Sequence, residues 1–210
     1  MIVLLTASVV GCRGAMEPLP ELQGGAELAL RRGSSWSTLK VRPPYAIGPR
    51  VNLHFKKGQV SGNLDTGTMM ESRLGALNLT IDDEGIQGSG PYGAVAVDVE
   101  DGPNVLNFEG MWNGSRVNFK ITAESMRGTI PIRRTGRADS VSGVTSCQYV
   151  LDRTTPDGAR EGTSICGGLP EETRLEVPRQ VDAWLTRKEL VVVLLALLST
   201  PPQTSMEPLP

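Results

Sequence analysis

Three stretches of this chain share one pattern and decide its fold: VNLHFKKGQVSG at residues 51–62, LNLTIDDEGIQG at 77–88 and VNFKITAESMRG at 117–128. Each stretch begins with an apolar residue, an asparagine and a second apolar residue, and apolar and polar residues then alternate. A polar cluster follows, and the stretch ends with an apolar residue, any residue and a glycine. Alternation with a period of two is typical of strands with one buried face, and the polar clusters supply turns. Three β-hairpins are therefore predicted, with these side chains facing one core: Val51, Leu53, Phe55, Leu77, Leu79, Ile81, Val117, Phe119 and Ile121.

Two further hairpins are predicted between these repeats, at residues 94–110 and 111–119, with Asp101-Gly102 and Asn113-Gly114 as their turns. The 24 glycines and the low aromatic content of 4% also favour many short strands joined by tight turns. The fold class is thus mainly β, with antiparallel hairpins that form a small barrel or a two-layer sandwich. The barrel is favoured because the glycines recur on returning strands, where strong curvature needs them.

The C-terminal stretch TRKELVVVLLALLSTPP, residues 186–202, predicts a short α-helix. Thr186 and Glu189 have the spacing of a capping box, nine apolar residues follow, and two prolines end the element. A helix over residues 187–199 would be about 20 Å long, which is short of the roughly 30 Å hydrocarbon core of a bilayer. Since it is apolar on every side, it must be buried. We expect it to pack against the β-domain; a partner protein or a membrane surface are the alternatives.

Cys147 and Cys166 flank a predicted hairpin with strands at 148–152 and 163–165 and a turn at residues 156–158. Such a hairpin would bring the two thiols together at its open end. A Cys147–Cys166 disulfide is therefore predicted, which indicates an oxidising compartment; two free thiols in a cytosolic protein are the alternative. The spacing matches no zinc pattern, so no metal site is predicted at these cysteines. No cofactor is predicted for the chain.

The chain begins with an apolar run that closes on Val9-Val10-Gly11-Cys12. This ending resembles the lipobox of bacterial envelope lipoproteins, although no lysine or arginine precedes the run. The resemblance implies that residues 1–11 are a signal peptide and that Cys12 becomes an acylated, palmitate-bearing N-terminus. Arg13 follows the cysteine directly, and an arginine in this position resembles the pattern of lipoproteins that are sent to the outer membrane. A buried first strand with a chance cysteine is the alternative.

The resulting organisation has four parts: the signal peptide at 1–11, lipidated Cys12 and a flexible tether at 12–36, a β-rich domain at 37–180, and the apolar helix with a proline-rich tail at 181–210. We expect a lipid-anchored protein of the bacterial cell envelope, at the outer membrane, with a non-catalytic binding or structural β-domain. Its partners would be the membrane, an envelope protein or a small apolar ligand. The net charge of −2, with acids and bases interspersed, argues against nucleic acid.

A second functional hypothesis comes from Asp65-Thr66-Gly67, which follows two predicted strands. This arrangement resembles retropepsin-like aspartic proteases, in which two chains each supply one aspartate and the carboxylates share a proton. The resemblance implies Asp65 as the catalytic carboxylate and Thr66 as the residue that braces the dimer. Asn63-Leu64 and Thr68 depart from the family pattern, and Asp-Thr-Gly is also ordinary turn chemistry.

Overall fold

The computed structural model describes residues 22, 24–65, 74–134, 143–155, 158–200 and 203–204. Within these residues, fourteen antiparallel strands follow one another around a closed barrel, and a helix occupies its interior. The barrel strands are β1 (Ala26–Arg32), β2 (Ser35–Arg42), β3 (Tyr45–Gly48), β4 (Val51–Lys56), β5 (Gln59–Asp65), β6 (Leu74–Ile81), β7 (Ile86–Gly90), β8 (Gly93–Gly102), β9 (Val105–Trp112), β10 (Ser115–Thr122), β11 (Ser125–Arg134), β12 (Gly143–Arg153), β13 (Arg160–Cys166) and β14 (Pro170–Glu176). Two helices follow, α1 (Arg179–Trp184) and α2 (Arg187–Ser199), and then β15 (Gln203–Thr204).

The chain closes the barrel by pairing its first barrel strand with its last. Each strand from β2 to β13 pairs with the barrel strand that follows it in the chain. Strand β1 pairs with both β2 and β14. Closure leaves β1 and β14 with a hydrogen-bonded neighbour on each side, which removes the exposed edges of an open sheet. The prediction of a mainly β barrel with a short C-terminal helix is confirmed, and the alternative of a two-layer sandwich is wrong.

The three repeated stretches form the hairpins β4–β5, β6–β7 and β10–β11, as predicted. Their nine apolar side chains face the barrel interior; seven are buried, and Ile81 and Ile121 are partly buried against the same core. The turn at Asn113-Gly114 is confirmed, since both residues have positive φ angles, 51° and 75°. The turn predicted at Asp101-Gly102 is wrong by two residues: this pair ends β8, and the turn is formed by residues 103–104.

The glycine that ends each repeat lies directly opposite an inward-facing side chain of the same repeat: Leu53 with Gly62, Leu79 with Gly88, and Phe119 with Gly128. At Gly88 the backbone has a φ of 147°, and an added Cβ would lie 2.1 Å from the carbonyl oxygen of Asn78. The neighbouring strand therefore approaches too closely for any side chain. This close approach explains why a glycine ends each repeat.

The helix α2 is buried by the barrel of its own chain, as expected. Residues 190–198 are all buried, and the helix contacts β2, β4, β9 and β11. The predicted capping box is present: the Thr186 hydroxyl accepts from the backbone N–H of Glu189, and the Glu189 carboxylate accepts from the backbone N–H of Thr186. Among the described residues, neither helix has the length and apolar character needed to cross a bilayer.

Two domain boundaries need correction. The segment expected to be a tether, residues 12–36, contains all of β1 and the first residues of β2. The composition of β1, rich in alanine, leucine and arginine, is a poor local signal for a strand. Pairing on both sides and burial of Leu28 and Leu30 decide its structure. The boundary drawn at residue 181 is likewise corrected, because α2 lies in the same core as the strands and belongs to the β-rich domain.

We predict that Gly88→Ala lowers the free energy of unfolding by about 2 kcal/mol or more, because the new methyl group must displace a neighbouring strand from a strained backbone position. Urea unfolding measures the change. Gly168→Ala is the matched control, since nothing lies within 4 Å of a Cβ added there. Equal stability of the two variants would contradict the steric explanation.

Candidate functional site

A polar cluster holds the C-terminal end of α2 inside the barrel. The Arg32 guanidinium donates from Nη1 to the Tyr149 hydroxyl at 3.2 Å and from Nη2 to the Thr200 carbonyl at 2.9 Å. The Tyr149 hydroxyl donates in turn to the carbonyl of Leu198 at 3.3 Å. We call Arg32, Tyr149 and Thr200 the locking cluster.

The locking cluster suits this end of the helix for two reasons. The last carbonyl groups of a helix have no partner within the helix, and a positive charge near them is favoured by the helix dipole. The Thr200 hydroxyl donates to the carbonyl of Leu197 at 2.8 Å, and the Trp112 indole donates to the Ser199 hydroxyl at 3.2 Å. Burial raises the pKa of Tyr149 above its ordinary value of 10.0, while the charge of Arg32 opposes that rise. The tyrosine is therefore held as a neutral donor.

The disulfide lies beside the locking cluster. Cys147 and Cys166 stand directly opposite each other on β12 and β13, and their sulfur atoms are 1.96 Å apart, at bonding distance. Cys147 is fully buried, and Nη1 of Arg32 lies 3.9 Å from the sulfur of Cys166. The predicted pairing of these cysteines is confirmed, and it joins the two strands that adjoin the locking cluster.

A cleft of about 300 Å³ opens beside the N-terminal part of α2, between that helix and the rim of the barrel. We call it the basic cleft. Its apolar floor is formed by Leu106, Ile121, Met126, Leu175, Leu190 and Leu194. Its charged wall is formed by Arg153, Arg160, Arg179, Arg187, Asp101 and Asp182. Among the described residues, the lining of the basic cleft is therefore amphipathic, with four arginines and two aspartates.

Arg153 and Arg160 stand directly opposite each other on β12 and β13, at the rim end of the hairpin that carries the disulfide. Like charges in this position repel each other. Arg160 donates to the carbonyl of Thr122 at 3.0 Å and to that of Gly158 at 3.4 Å. Burial lowers the pKa of Arg160, the charge of Arg153 lowers it further, and Asp182 opposes the change. Within the described residues, the buried Nε of Arg160 has no hydrogen-bond partner.

The two carboxylates of the basic cleft lie beside a different arginine. Asp101 and Asp182 are 3.8 Å and 3.6 Å from the guanidinium of Arg187. In the part of the chain that the structure describes, the ionisable side chains that line the cleft are arginines and aspartates. Arginine keeps its proton at all ordinary pH values, so it binds and orients anions but does not transfer protons. The geometry of the basic cleft thus suits the binding of an anion.

The residues singled out from the sequence lie elsewhere. Cys12 and Thr66 are outside the described residues. Asp65 is the last residue of β5, is buried, and donates its backbone N–H to the carbonyl of Arg50. Its catalytic role stays a prediction. Among the described residues, no group of three or more histidines, cysteines, aspartates or glutamates is placed to hold a metal ion.

The sequence analysis did not identify the arginines of the locking cluster and of the basic cleft, although two features of the sequence indicate them. Once Cys147 is set opposite Cys166, counting inward along the hairpin sets Arg153 opposite Arg160. Arg32 stands at the same period-two position as the inward-facing leucines of β1, which predicts a buried guanidinium.

Comparison of the chain with protein-family models, with curated proteins and with solved structures found no match. Its function is therefore argued from the geometry of the site.

We predict that Tyr149→Phe changes the alkaline stability of the protein. The unfolded chain loses the tyrosine proton near pH 10.0, whereas the folded chain holds it to higher pH. The wild-type free energy of unfolding should therefore fall as pH rises above that value, and the phenylalanine variant should lack this part of the fall. At neutral pH the variant should be less stable by about 1 kcal/mol, because the carbonyl of Leu198 loses its donor.

Urea unfolding at about pH 8 and about pH 11 measures both effects. Tyr45→Phe is the control, since this ring stacks on His54 at 4.9 Å on the outer face of the wall. An identical dependence on pH in Tyr149→Phe and in the wild-type protein would contradict the prediction.

Proposed function

We propose that this chain is a lipid-anchored protein of the bacterial cell envelope, whose helix-filled β-barrel has a non-catalytic binding role at the basic cleft. The observation that carries the proposal is the disulfide between Cys147 and Cys166. Structural disulfides persist in oxidising compartments, such as the periplasm, and are rare in the cytosol. The disulfide and the resemblance of residues 9–12 to a lipobox support the same address independently.

The segment between the proposed anchor and the barrel is long enough to connect them. Fourteen positions separate Cys12 from the first residue of β1. A fully extended chain of that length reaches about 50 Å at most, which is enough to hold the barrel clear of the lipid headgroups. The outer face of the wall carries charged side chains, including the ion pair of Arg127 and Asp152 at 2.8 Å. In this proposal, acylated Cys12 is what holds the hydrated barrel to the membrane.

A binding role at the rim follows from the way the barrel is filled. In many barrels a ligand occupies the interior, but here α2 occupies it and its apolar residues are buried there. The basic cleft opens at the edge of this packed core, and its lining combines charged and apolar side chains. This combination of apolar surface with a few polar groups is typical of small-molecule sites.

We predict that Cys12→Ser abolishes membrane attachment. The wild-type protein should sediment with membranes and incorporate labelled palmitate, and the variant should do neither, because serine lacks the thiol that is acylated. Arg13→Lys is the control and should leave both properties unchanged. A variant that sediments and labels like the parent, or a mature chain that retains Met1 without acyl groups, would contradict the anchor.

We predict that Cys147 and Cys166 are oxidised in protein taken from its own host. Alkylation before reduction should label neither residue, and alkylation after reduction should label both, as read by peptide mass spectrometry. Cys12 serves as an internal reference, because its thiol should be blocked by lipid under both conditions. Labelling of Cys147 and Cys166 without reduction would contradict an oxidising compartment.

A further inference from the structure

The guanidinium of Arg160 is held in place before any ligand arrives. Two of its nitrogen atoms donate to the backbone carbonyls of Thr122 and Gly158, which belong to two different rim segments of the barrel. Its Nε remains buried and has no partner among the described residues. A buried donor without an acceptor is unfavourable, and a bound acceptor that reaches this N–H would remove the cost.

The position of Arg153 beside Arg160 indicates the charge of that acceptor. Residues directly opposite each other in an antiparallel pair have Cα atoms about 4.5–5.5 Å apart, so the two arginine side chains leave the wall from neighbouring positions, and both line the basic cleft. An anion placed between the arginines would be attracted by both positive charges. Guanidinium groups match carboxylate and phosphate oxygens in geometry as well as in charge.

The floor of the basic cleft indicates what the anion carries. Leucine, isoleucine and methionine side chains line the same cleft as the arginines, among them Leu106, Ile121 and Met126. Burial of methylene groups on such a surface is worth about 0.8 kcal/mol for each group. The cleft volume of about 300 Å³ is at the lower end of the range for ligand pockets, so the apolar part of the ligand is short.

We propose that the basic cleft binds an anionic headgroup, a carboxylate or a phosphate monoester, that carries a short aliphatic chain. The headgroup lies between Arg153 and Arg160 and accepts the Nε–H of Arg160, and the chain lies on the apolar floor. This inference names the ligand class for the binding role proposed above, and it does not depend on the lipid anchor.

Calorimetry on the full chain carrying Cys12→Ser tests the proposal, because this variant has no acyl group of its own to compete with the probe. Four probes are compared: octanoate, octyl phosphate, inorganic phosphate and octanol. At least one of the two chain-bearing anions should bind more tightly than both inorganic phosphate and octanol. The tighter of the two identifies the source, a fatty carboxylate or a lipid-derived phosphate. Absence of binding by both, or equal binding of octanol, would overturn the proposal.

Arginine variants locate the bound anion. Arg153→Gln and Arg160→Gln should each weaken binding of the preferred probe by about tenfold or more, because each removes a charged donor. Arg116→Gln is the matched control, since Arg116 is an exposed arginine on β10 outside the cleft. Because Arg160 also holds two rim segments, Arg153→Gln keeps the test valid if Arg160→Gln fails to fold. Wild-type affinity in Arg153→Gln would overturn the assignment.

The two proposals fail in different ways. A protein that is acylated and sediments with membranes, but whose basic cleft binds none of the probes, removes the ligand assignment and leaves the anchor. A protein that binds octanoate or octyl phosphate, but retains Met1 and no acyl group, removes the anchor and leaves the ligand assignment.

Discussion

The structure depends on one constraint, the burial of a helix that is apolar on every side. Nine consecutive residues of α2 are buried, so every face of the helix needs apolar contacts. A helix with its side chains is about 10–12 Å across, and a barrel of about eight strands has room only for its own side chains. Fourteen strands enclose the additional helix. Without it, the same barrel would surround a large apolar void, which close-packed protein interiors avoid. The strand number and the helix therefore require each other.

The two ends of the buried helix differ in chemistry, and this difference separates stability from binding. At the C-terminal end, the carbonyl groups at and just beyond the last turn accept hydrogen bonds from Arg32, Tyr149 and the hydroxyl of Thr200. At the N-terminal end, the capping box uses the chain's own Thr186 and Glu189. Arginine has only hydrogen-bond donors, so the arginines of the neighbouring rim take no part in capping this end of α2. The basic cleft lies at this second end, where the proposed anion would bind to the rim arginines.

The hairpins were predictable because their signals are local. Alternation places successive side chains on opposite faces, and Asn113-Gly114 selects its turn through the backbone conformations it allows. The disulfide followed from the same reasoning, since a hairpin centred near residues 156–158 must bring Cys147 to Cys166. Strand β1 escaped prediction because its residues have little preference for a strand, and pairing with β2 and β14 supplies what local preference lacks. The register of the disulfide hairpin also implied the Arg153–Arg160 pair, but not the burial of Arg160.

By itself, the sequence determined the repeated hairpins, the capped apolar helix and the cysteine pair, because each depends on residues close together in the chain. Tertiary structure alone decided that β1 closes on β14, that the helix lies within the wall, and that Arg32 meets Tyr149 across 117 residues. It also decided that Thr122 and Gly158 converge on the guanidinium of Arg160. These contacts join segments that are distant in sequence, and their geometry exists only after the barrel has closed around the helix.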